Sequence, residues 1–296
     1  ALPTPAITAG GTTTFCSGGS VTLTASTGSS YQWNLNGAAI TGSTSATYTA
    51  NATGNYSVTV TNANGCSATS AATAVLVNNL PAATITAGGA TTFCAGSSVS
   101  LSANSGTGLT YQWSNGSNNQ TITATTAGNY TVTVTNADGC SSTSAATAVT
   151  VTALPVVASI TGTTAVCTGS TTTLSSTTAN GVWTSSNTAV ATINSSTGVV
   201  TGVTAGTTTI TYTVTVGGCT NSTTAVVTVN ALPTATITTI GTTTFCAGGS
   251  VSLVGPSAPA GMTYSYQWNL GGTAISGATS SSYTASAAGS YTLTVT

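Results

Sequence analysis

Apolar residues alternate with threonine and serine along most of the chain, in short runs bounded by glycine, asparagine and serine. Residues 20–25 read SVTLTA, which puts Val21, Leu23 and Ala25 on one face of an extended strand. The run NYSVTVTN, further along, has the same two-residue period. Such runs recur about every 8–12 residues with no helical period between them, which predicts an all-β sandwich fold.

A Leu-Pro dipeptide marks an internal repeat, and an opening of the type ITAGGTTTFCSGGSVTL follows each copy, in a looser form in the third. The dipeptides are Leu2-Pro3, Leu80-Pro81, Leu154-Pro155 and Leu232-Pro233. We therefore predict four tandem immunoglobulin-like β-sandwich modules. They are module 1 (residues 1–79), module 2 (80–153), module 3 (154–231) and module 4 (232–296).

The linkers between modules are short and contain proline, as in VLVNNLP and VTVTALP. Proline fixes its own φ and pushes the preceding leucine toward extended geometry. Joints of this kind are stiffer than a Gly/Ser tether. The sequence therefore predicts an elongated rod.

Module 4 ends at YTLTVT, residues 291–296, and by comparison with module 1 it lacks both the NANGC turn and the last strand. One explanation is that these 296 residues are a segment of a longer tandem array. The other is that a neighbouring subunit donates the strand. The first is favoured, because the N-terminus offers no spare donor strand.

Charged side chains are almost absent: Asp138 is the one carboxylate, and there is no Lys, Arg, His or Glu. Nucleic-acid phosphates and anionic lipids bind Lys and Arg. Acid–base catalysis needs paired carboxylates, His, Lys or an activated thiol or phenol. We therefore predict no enzyme, no cofactor, no metal site and no nucleic-acid partner. No apolar run approaches the about 18 residues of a spanning helix, so we expect no membrane insertion.

Modules 1, 2 and 4 carry motifs such as YQW and ATGNYSVTVTNANGCSATSAATAVLV. They resemble the immunoglobulin-like and PKD-like repeats of giant secreted surface adhesins of Bacteroidota. Module 3, with VWTSSNTAVATINSSTGVVTGVTAGTTTITYTVTVGGC, resembles a bacterial Ig-like group 2 domain of the intimin and invasin type. The resemblance implies export and an extended multi-domain stalk in adhesion, gliding or matrix.

Aromatic residues recur at fixed positions in the modules. A tryptophan stands on the expected third strand of every module, where it packs in the core of immunoglobulin-like folds. A sugar-stacking platform is the alternative interpretation, and recurrence favours the core. A tyrosine occupies the position of the tyrosine corner, whose hydroxyl caps local backbone. The candidate core residues are Trp33, Trp113, Trp183, Trp268, Tyr56, Tyr130, Tyr291 and, as the counterpart in module 3, Tyr212.

The seven cysteines allow two pairing schemes, and none of them forms a C-x-x-C zinc pattern. Similar spacings favour bridges within modules, and such a bridge would add a few kcal/mol to a module of modest core. The alternative scheme joins successive modules, since in immunoglobulin order the early and late cysteines lie at opposite ends of a sandwich. The first scheme pairs Cys16 with Cys66, Cys94 with Cys140 and Cys167 with Cys219, and puts the partner of Cys246 outside the segment. The second contains Cys16–Cys140 and Cys94–Cys219.

Asp138 aligns with Asn64 of the NANGC turn. Asp-Gly and Asn-Gly favour a type I′ hairpin turn, in which both central residues have positive φ. Gly217-Gly218 predicts the same turn in module 3. We interpret Asp138 as a turn residue and not as a binding site.

These patterns predict a structural and adhesive extracellular segment, a rigid stalk or filament of a cell-surface protein, with self-assembly as one version. Its partners would be neighbouring copies or adjacent modules of the same protein. The alternative is an array of carbohydrate-binding modules, whose partners would be surface glycans.

Overall fold

A computed structural model, which describes residues 1–259 and 262–296, confirms the all-β fold; this part of the chain contains strands and turns and no helix. The chain divides into two compact units, Ala1–Ala153 and Leu154–Thr296. Each unit contains two separate buried clusters, and each cluster lies within the residues of one predicted module.

Module 1 is a sandwich whose opening segment changes sheet. Its strands are β1 (Ile7–Ala9), β2 (Thr14–Cys16), β3 (Val21–Ala25), β4 (Ser30–Leu35), β5 (Ala38–Ala39), β6 (Thr47–Ala50), β7 (Gly54–Thr61), β8 (Ser67–Thr69) and β9 (Thr73–Asn78). One sheet has the order β1-β3-β6, and the other has β2-β9-β7-β4-β5 with β8 paired to β7. The apolar face of β3, Val21 and Leu23, packs with Trp33 and Val58 of the opposite sheet.

Module 2 repeats this plan. Its strands are β10 (Ile85–Ala87), β11 (Thr92–Cys94), β12 (Val99–Ala103), β13 (Thr110–Trp113), β14 (Thr121–Ala124), β15 (Gly128–Tyr130), β16 (Val132–Thr135), β17 (Ser141–Thr143) and β18 (Thr147–Thr152). The sheets are β10-β12-β14, β11-β18-β15 and β13-β16-β17. As in module 1, the second part of the opening segment, here β11, runs parallel to the last strand β18.

Module 3 has longer strands at its end. Its strands are β19 (Thr161–Gly162), β20 (Ala165–Cys167), β21 (Thr171–Ser175), β22 (Gly181–Ser185), β23 (Ala191–Ile193), β24 (Val199–Gly202), β25 (Gly206–Val216) and β26 (Cys219–Asn230). The sheets are β19-β21-β24-β23 and β20-β26-β25-β22. The β25–β26 hairpin extends the second sheet, and its inward residues, among them Ile210 and Val227, are fully buried.

Module 4 has the first sheet of module 1 and part of the second. Its strands are β27 (Thr238–Ile240), β28 (Val251–Val254), β29 (Tyr266–Leu270), β30 (Thr273–Ala274), β31 (Ser282–Ala285) and β32 (Tyr291–Val295). The sheets are β27-β28-β31 and β30-β29-β32. Trp268 is fully buried between them.

The turn that holds Asp138 differs from the predicted type I′. Gly139 has φ of 78°, but Asp138 is not among the non-glycine residues with positive φ. Gly139 N–H donates to Asn136 O at 3.0 Å, and Asn136 N–H donates to Cys140 O at 3.0 Å. This is a type I turn closed by a glycine bulge, a three-residue loop. The type I′ prediction was wrong here because the loop is one residue longer than Asp-Gly alone.

Gly217 and Gly218 of module 3 do form the type I′ turn, with φ of 58° and 82° directly between the paired residues Val216 and Cys219. The two kinds of hairpin therefore place their cysteines differently. In modules 1 and 2 the cysteine follows a bulge, whereas Cys219 is the first residue of a strand.

Candidate functional site

The structure brings Cys16 of module 1 and Cys140 of module 2 together as a disulfide, with their Cα atoms 5.6 Å apart. Cys16 is the last residue of β2 and lies opposite Asn78, the last residue of β9. Ser17 N–H donates to Asn78 O at 2.8 Å and extends this pairing by one residue. Cys16 is therefore fixed where the chain leaves module 1.

Asn136 organises the other side of the joint. Its Oδ1 accepts the N–H groups of Asp138 at 3.1 Å and Cys140 at 2.9 Å. Its Nδ2 donates to the backbone oxygen of Asn79 at 3.0 Å, in the linker directly after module 1. One asparagine side chain thus shapes the turn and ties it to the preceding module, beside the disulfide. The repeated TNAxGC motif was the available sequence signal for this role, which the sequence analysis missed.

The favoured pairing within modules is wrong for Cys16, and the reason is geometric. β9 runs antiparallel to β7, with Val75 opposite Gly54, so Asn78 and Cys16 lie beyond the Gly54 end of β7. Cys66 follows the other end of β7. Eight strand residues span about 25 Å, far more than a disulfide allows.

The states of the other five cysteines also differ from the predicted pairing within modules. Cys66, Cys167 and Cys246 are free thiols, so the disulfides assigned from the sequence to Cys66 and Cys167 are wrong. Cys94 and Cys219 are each disulfide-bonded. Cys167 and Cys246 are exposed, and Cys66 is half-buried.

Cys66 lies in a turn that matches the turn of Cys140. Asn62 Oδ1 accepts the N–H groups of Asn64 at 3.0 Å and Cys66 at 3.1 Å. Asn62 Nδ2 donates to Ala1 O at 2.9 Å. This bond corresponds to the one that Asn136 Nδ2 donates to Asn79 O. Module 1 therefore carries the same joint surface as module 2, with a free thiol in place of the disulfide.

The four tryptophans lie in the four cores, between 0% and 5% exposed. Three of the indole N–H groups donate to backbone oxygens of the same module: Trp33 to Ser45, Trp113 to Asn119 and Trp268 to Ser280. All aromatic side chains of the described residues are buried or half-buried. Within the described residues, no aromatic side chain is therefore fully exposed as a platform for a sugar ring.

Three tyrosines form the predicted tyrosine corner: each hydroxyl donates a hydrogen bond to the backbone oxygen of the residue four positions earlier. Tyr56 donates to Ala52 O at 2.9 Å, Tyr130 to Thr126 O at 3.0 Å and Tyr291 to Ala287 O at 3.1 Å. Burial, and secondly the neighbouring Tyr48, raise the pKa of the Tyr56 phenol.

Tyr212 is not the counterpart of these tyrosines. It pairs directly opposite Trp183, the position that Val58 takes opposite Trp33. Its hydroxyl donates to Thr178 O at 2.6 Å and accepts Gly181 N–H at 2.9 Å, near the start of β22. The corner position of module 3 belongs to Ile210, two residues earlier on the same face.

Asp138 is exposed in its turn. The described residues contain no cluster of three or more His, Cys, Asp or Glu that could hold a metal ion. They also contain no helix that is long and apolar enough to cross a membrane.

Comparison with protein families supports the fold. The family model of the PKD domain matches residues 82–151, which lie in module 2. The fold is immunoglobulin-like, in tandem modules. No curated protein matches the chain.

Several solved structures resemble the chain at low identity. One is the N-terminal eight Ig domains of Down Syndrome Cell Adhesion Molecule, with 14% identity, a TM-score of 0.29 and coverage of 96% of this chain and 52% of that one. Another is Bacteroides ovatus SGBP-B in complex with mixed-linkage heptasaccharide, with 14% identity, a TM-score of 0.22 and coverage of 99% and 92%. A third is the fibronectin(III)-like modules of Clostridium thermocellum CbhA, with 12% identity, a TM-score of 0.26 and coverage of 49% of this chain and 95% of that one. The chain spans about half the length of the first, and TM-scores this low carry no functional argument.

Proposed function

We propose that the chain is a structural and adhesive segment of an extracellular cell-surface protein, a stiff stalk or filament of tandem modules without catalytic activity. The observation that carries this proposal is the Cys16–Cys140 disulfide. It joins one module to the next instead of closing a single module. A bond in that position restrains the joint between the two modules.

Three restraints act at the same joint. The disulfide fixes the end of β2 to the turn of module 2, and Asn136 holds the linker oxygen of Asn79. Pro81 then limits the linker backbone. A joint held at three points resists bending, as a stalk requires.

The composition fits an extracellular, load-bearing role. Disulfides persist in oxidising compartments, which supports export. With Asp138 as the one charged side chain, surface ion pairs contribute nothing that salt could screen. The hydroxyl-rich surface also lacks like-charge repulsion between neighbouring copies, so lateral self-assembly is part of the proposal.

The positions of the tryptophans do not support the carbohydrate-binding alternative. Tryptophans that could stack on sugar rings are in the cores, and no described aromatic side chain is exposed. We therefore expect the purified chain to bind no ligand on a glycan array. Saturable binding to a glycan would favour this alternative over a purely mechanical role.

Immunoelectron microscopy of the source cells tests the proposal directly. Antibody against the chain should label fibres or stalks that project from the surface. Purified stalks should show a narrow distribution of angles between modules 1 and 2, and Cys16→Ser should broaden it. Cys66→Ser, which removes a free thiol, is the matched control and should leave it unchanged. Labelling confined to the cell interior, or equal distributions in all three proteins, would contradict the stalk role.

A further inference from the structure

Three aromatic rings lie in a row in the core of module 1. The centroid of the Tyr48 ring is 5.8 Å from that of Trp33 and 5.6 Å from that of Tyr56. We call these three residues the aromatic triad. Tyr48 lies on β6 opposite Leu23 and packs against the core cluster of the module. Because β6 is the last strand of its sheet, Tyr48 stands at an open side of the sandwich.

Module 4 has an equivalent triad, but the sandwich fold does not require one. Its members are Trp268, Tyr283 and Tyr291, with Tyr283 at 6.1 Å from the first and 5.8 Å from the last. Module 2 has Ile122 at the same place on β14. An apolar side chain therefore fills this position as well as a phenol does, and the phenol of modules 1 and 4 brings a chemistry that packing alone does not need.

The middle tyrosine of each triad has a free hydroxyl. Seven of the ten tyrosine hydroxyls donate to a backbone oxygen. Within residues 1–259 and 262–296, the hydroxyls of Tyr48, Tyr264 and Tyr283 have no hydrogen-bond partner in the protein. These three side chains are half-buried, and none of their oxygens is enclosed. Their phenol protons are therefore open to exchange with water.

One-electron oxidation of the aromatic triad ends on Tyr48. Neighbouring rings in contact exchange an electron readily, and the exchange stops where the radical cation loses its proton, since an apolar core disfavours the charged form. The Trp33 indole N–H is held by Ser45 O at 2.9 Å. The Tyr56 hydroxyl is held by Ala52 O at 2.9 Å. Tyr48 alone can release its proton to water, and the neutral radical stays there.

Module 3 has an aromatic pair without this property. The ring centroids of Trp183 and Tyr212 are 4.4 Å apart. The Tyr212 hydroxyl donates to Thr178 O and accepts the N–H of Gly181, and the side chain is 5% exposed. We therefore expect no stable tyrosyl radical in module 3.

We propose that Tyr48, together with its equivalent Tyr283, is an oxidative cross-linking site that joins two copies of this chain. The oxidant is hydrogen peroxide, used by a haem peroxidase. One tyrosine of each chain loses an electron and a proton, and the two radicals couple through the ring carbons ortho to the hydroxyls. The ortho hydrogens move to the oxygens, which gives 3,3′-dityrosine. The peroxide accepts the two electrons and two protons, its O–O bond breaks, and two water molecules form.

A second copy is the partner because coupling requires the same radical on both sides. Asp138 is the one charged side chain, so two copies approach without the like-charge repulsion that keeps most proteins apart. The cross-link goes beyond the stalk role and does not depend on it.

Peroxidase treatment of the full chain tests the site. With a purified haem peroxidase and hydrogen peroxide, the chain should gain dityrosine fluorescence and form dimers. The dimers should persist after thiol reduction, which removes any disulfides of the free cysteines. The Tyr48→Phe/Tyr283→Phe variant should lose most of both signals. It should keep its fold, because the two hydroxyls have no partner in the protein.

Tyr31→Phe is the matched control and should cross-link like the wild type. Tyr31 is half-buried in the same module, but its hydroxyl accepts the N–H of Gly28 at 2.9 Å and donates to its oxygen at 3.2 Å. Mass spectrometry of peptic peptides from a mixture of unlabelled and nitrogen-15-labelled chains should then identify the joined residues. Links between an unlabelled and a labelled peptide should contain Tyr48 or Tyr283.

Laser flash photolysis, which ejects an electron from tryptophan, tests the triad itself. Tryptophan radicals of the wild type should convert in part to tyrosyl radicals, and the Tyr48→Phe/Tyr283→Phe variant should lose this conversion. Three results would overturn the proposal: no dityrosine in the wild type, as much dityrosine in the double variant, or links that map mainly to Tyr31 or Tyr264. A link between Tyr48 and Tyr56 of one chain, or an unchanged conversion in the double variant, would also overturn it.

Discussion

Removal of the Cys16–Cys140 disulfide should release a defined length of chain under tension. When force is applied between residues 1 and 153, the intact bond carries it from Cys16 directly to Cys140. The residues between them bear no load even if their sandwiches open. The Cys16→Ser/Cys140→Ser double variant exposes that whole segment to the force.

The magnitude follows from the sequence separation of 124 residues. At about 3.4 Å per extended residue, less the 5.6 Å between the bonded Cα atoms, the gain is about 42 nm. Loop-closure entropy for a crosslink of this length also corresponds to about 5 kcal/mol of stability. The double variant should therefore unfold at lower denaturant concentration as well.

Optical tweezers on the full chain provide the assay, with one handle at the N-terminus and one on an azide-bearing residue at exposed position 153. The wild-type chain should release about 42 nm less than the double variant. The chain with Cys66→Ser should match the wild type. Bonds within modules would instead shield 50 residues (66 − 16) and 46 residues (140 − 94), or about 17 and 16 nm in separate events. Equal lengths in wild type and double variant would refute the joint described above.

Three further outcomes are expected. Maleimide should label three thiols in the native chain, with Cys167 and Cys246 reacting faster than half-buried Cys66; labelling of two or fewer would contradict the assignment. Asn136→Ala should cost about 2 kcal/mol in urea unfolding, because three hydrogen bonds are lost; an unchanged midpoint would show that Asn136 is dispensable. The raised pKa of Tyr56 stabilises the fold fully below the unfolded tyrosine pKa of about 10, and this stability is lost as pH rises through the folded pKa. Thermal melts from pH 7 to 11 should therefore fall on the alkaline side, and Tyr56→Phe should reduce the fall.

The strands and cores were predictable because they depend on local alternation. Val21 and Leu23 are two residues apart and share a face in any strand, so burial of one implies burial of the other. The tryptophans needed only recurrence at one position, since a large ring repeated in every module must occupy an equivalent site. Neither inference required knowledge of which strands pair.

Features that depend on strand register were not predictable in the same way. Tyr212 lies two residues from the corner position, and only its pairing with Trp183 reveals the shift. The pairing of Cys16 depended on the end of the sandwich at which it lies. The parallel pairing of β2 with β9 decides this, and alternation within β2 carries no information about its partner.

Apart from the exposed carboxylate of Asp138, the joint consists of uncharged groups, and hydroxyl pairs flank its turn. Across the hairpin that contains Cys140, Thr133 contacts Thr143 at 2.9 Å and Thr135 contacts Ser141 at 2.8 Å through their hydroxyl oxygens. Cross-strand pairs of this kind contribute about 0.2–1 kcal/mol each. The same arrangement flanks Cys66, where the pairs Thr59–Thr69 and Thr61–Ser67 lie at 3.0 and 2.9 Å. Because hydroxyl pairs neither titrate nor respond to ionic screening, we expect their contribution to the hairpin to stay the same as pH and salt change. The position of Cys140 opposite Cys16 therefore depends in part on contacts that pH and salt leave unchanged.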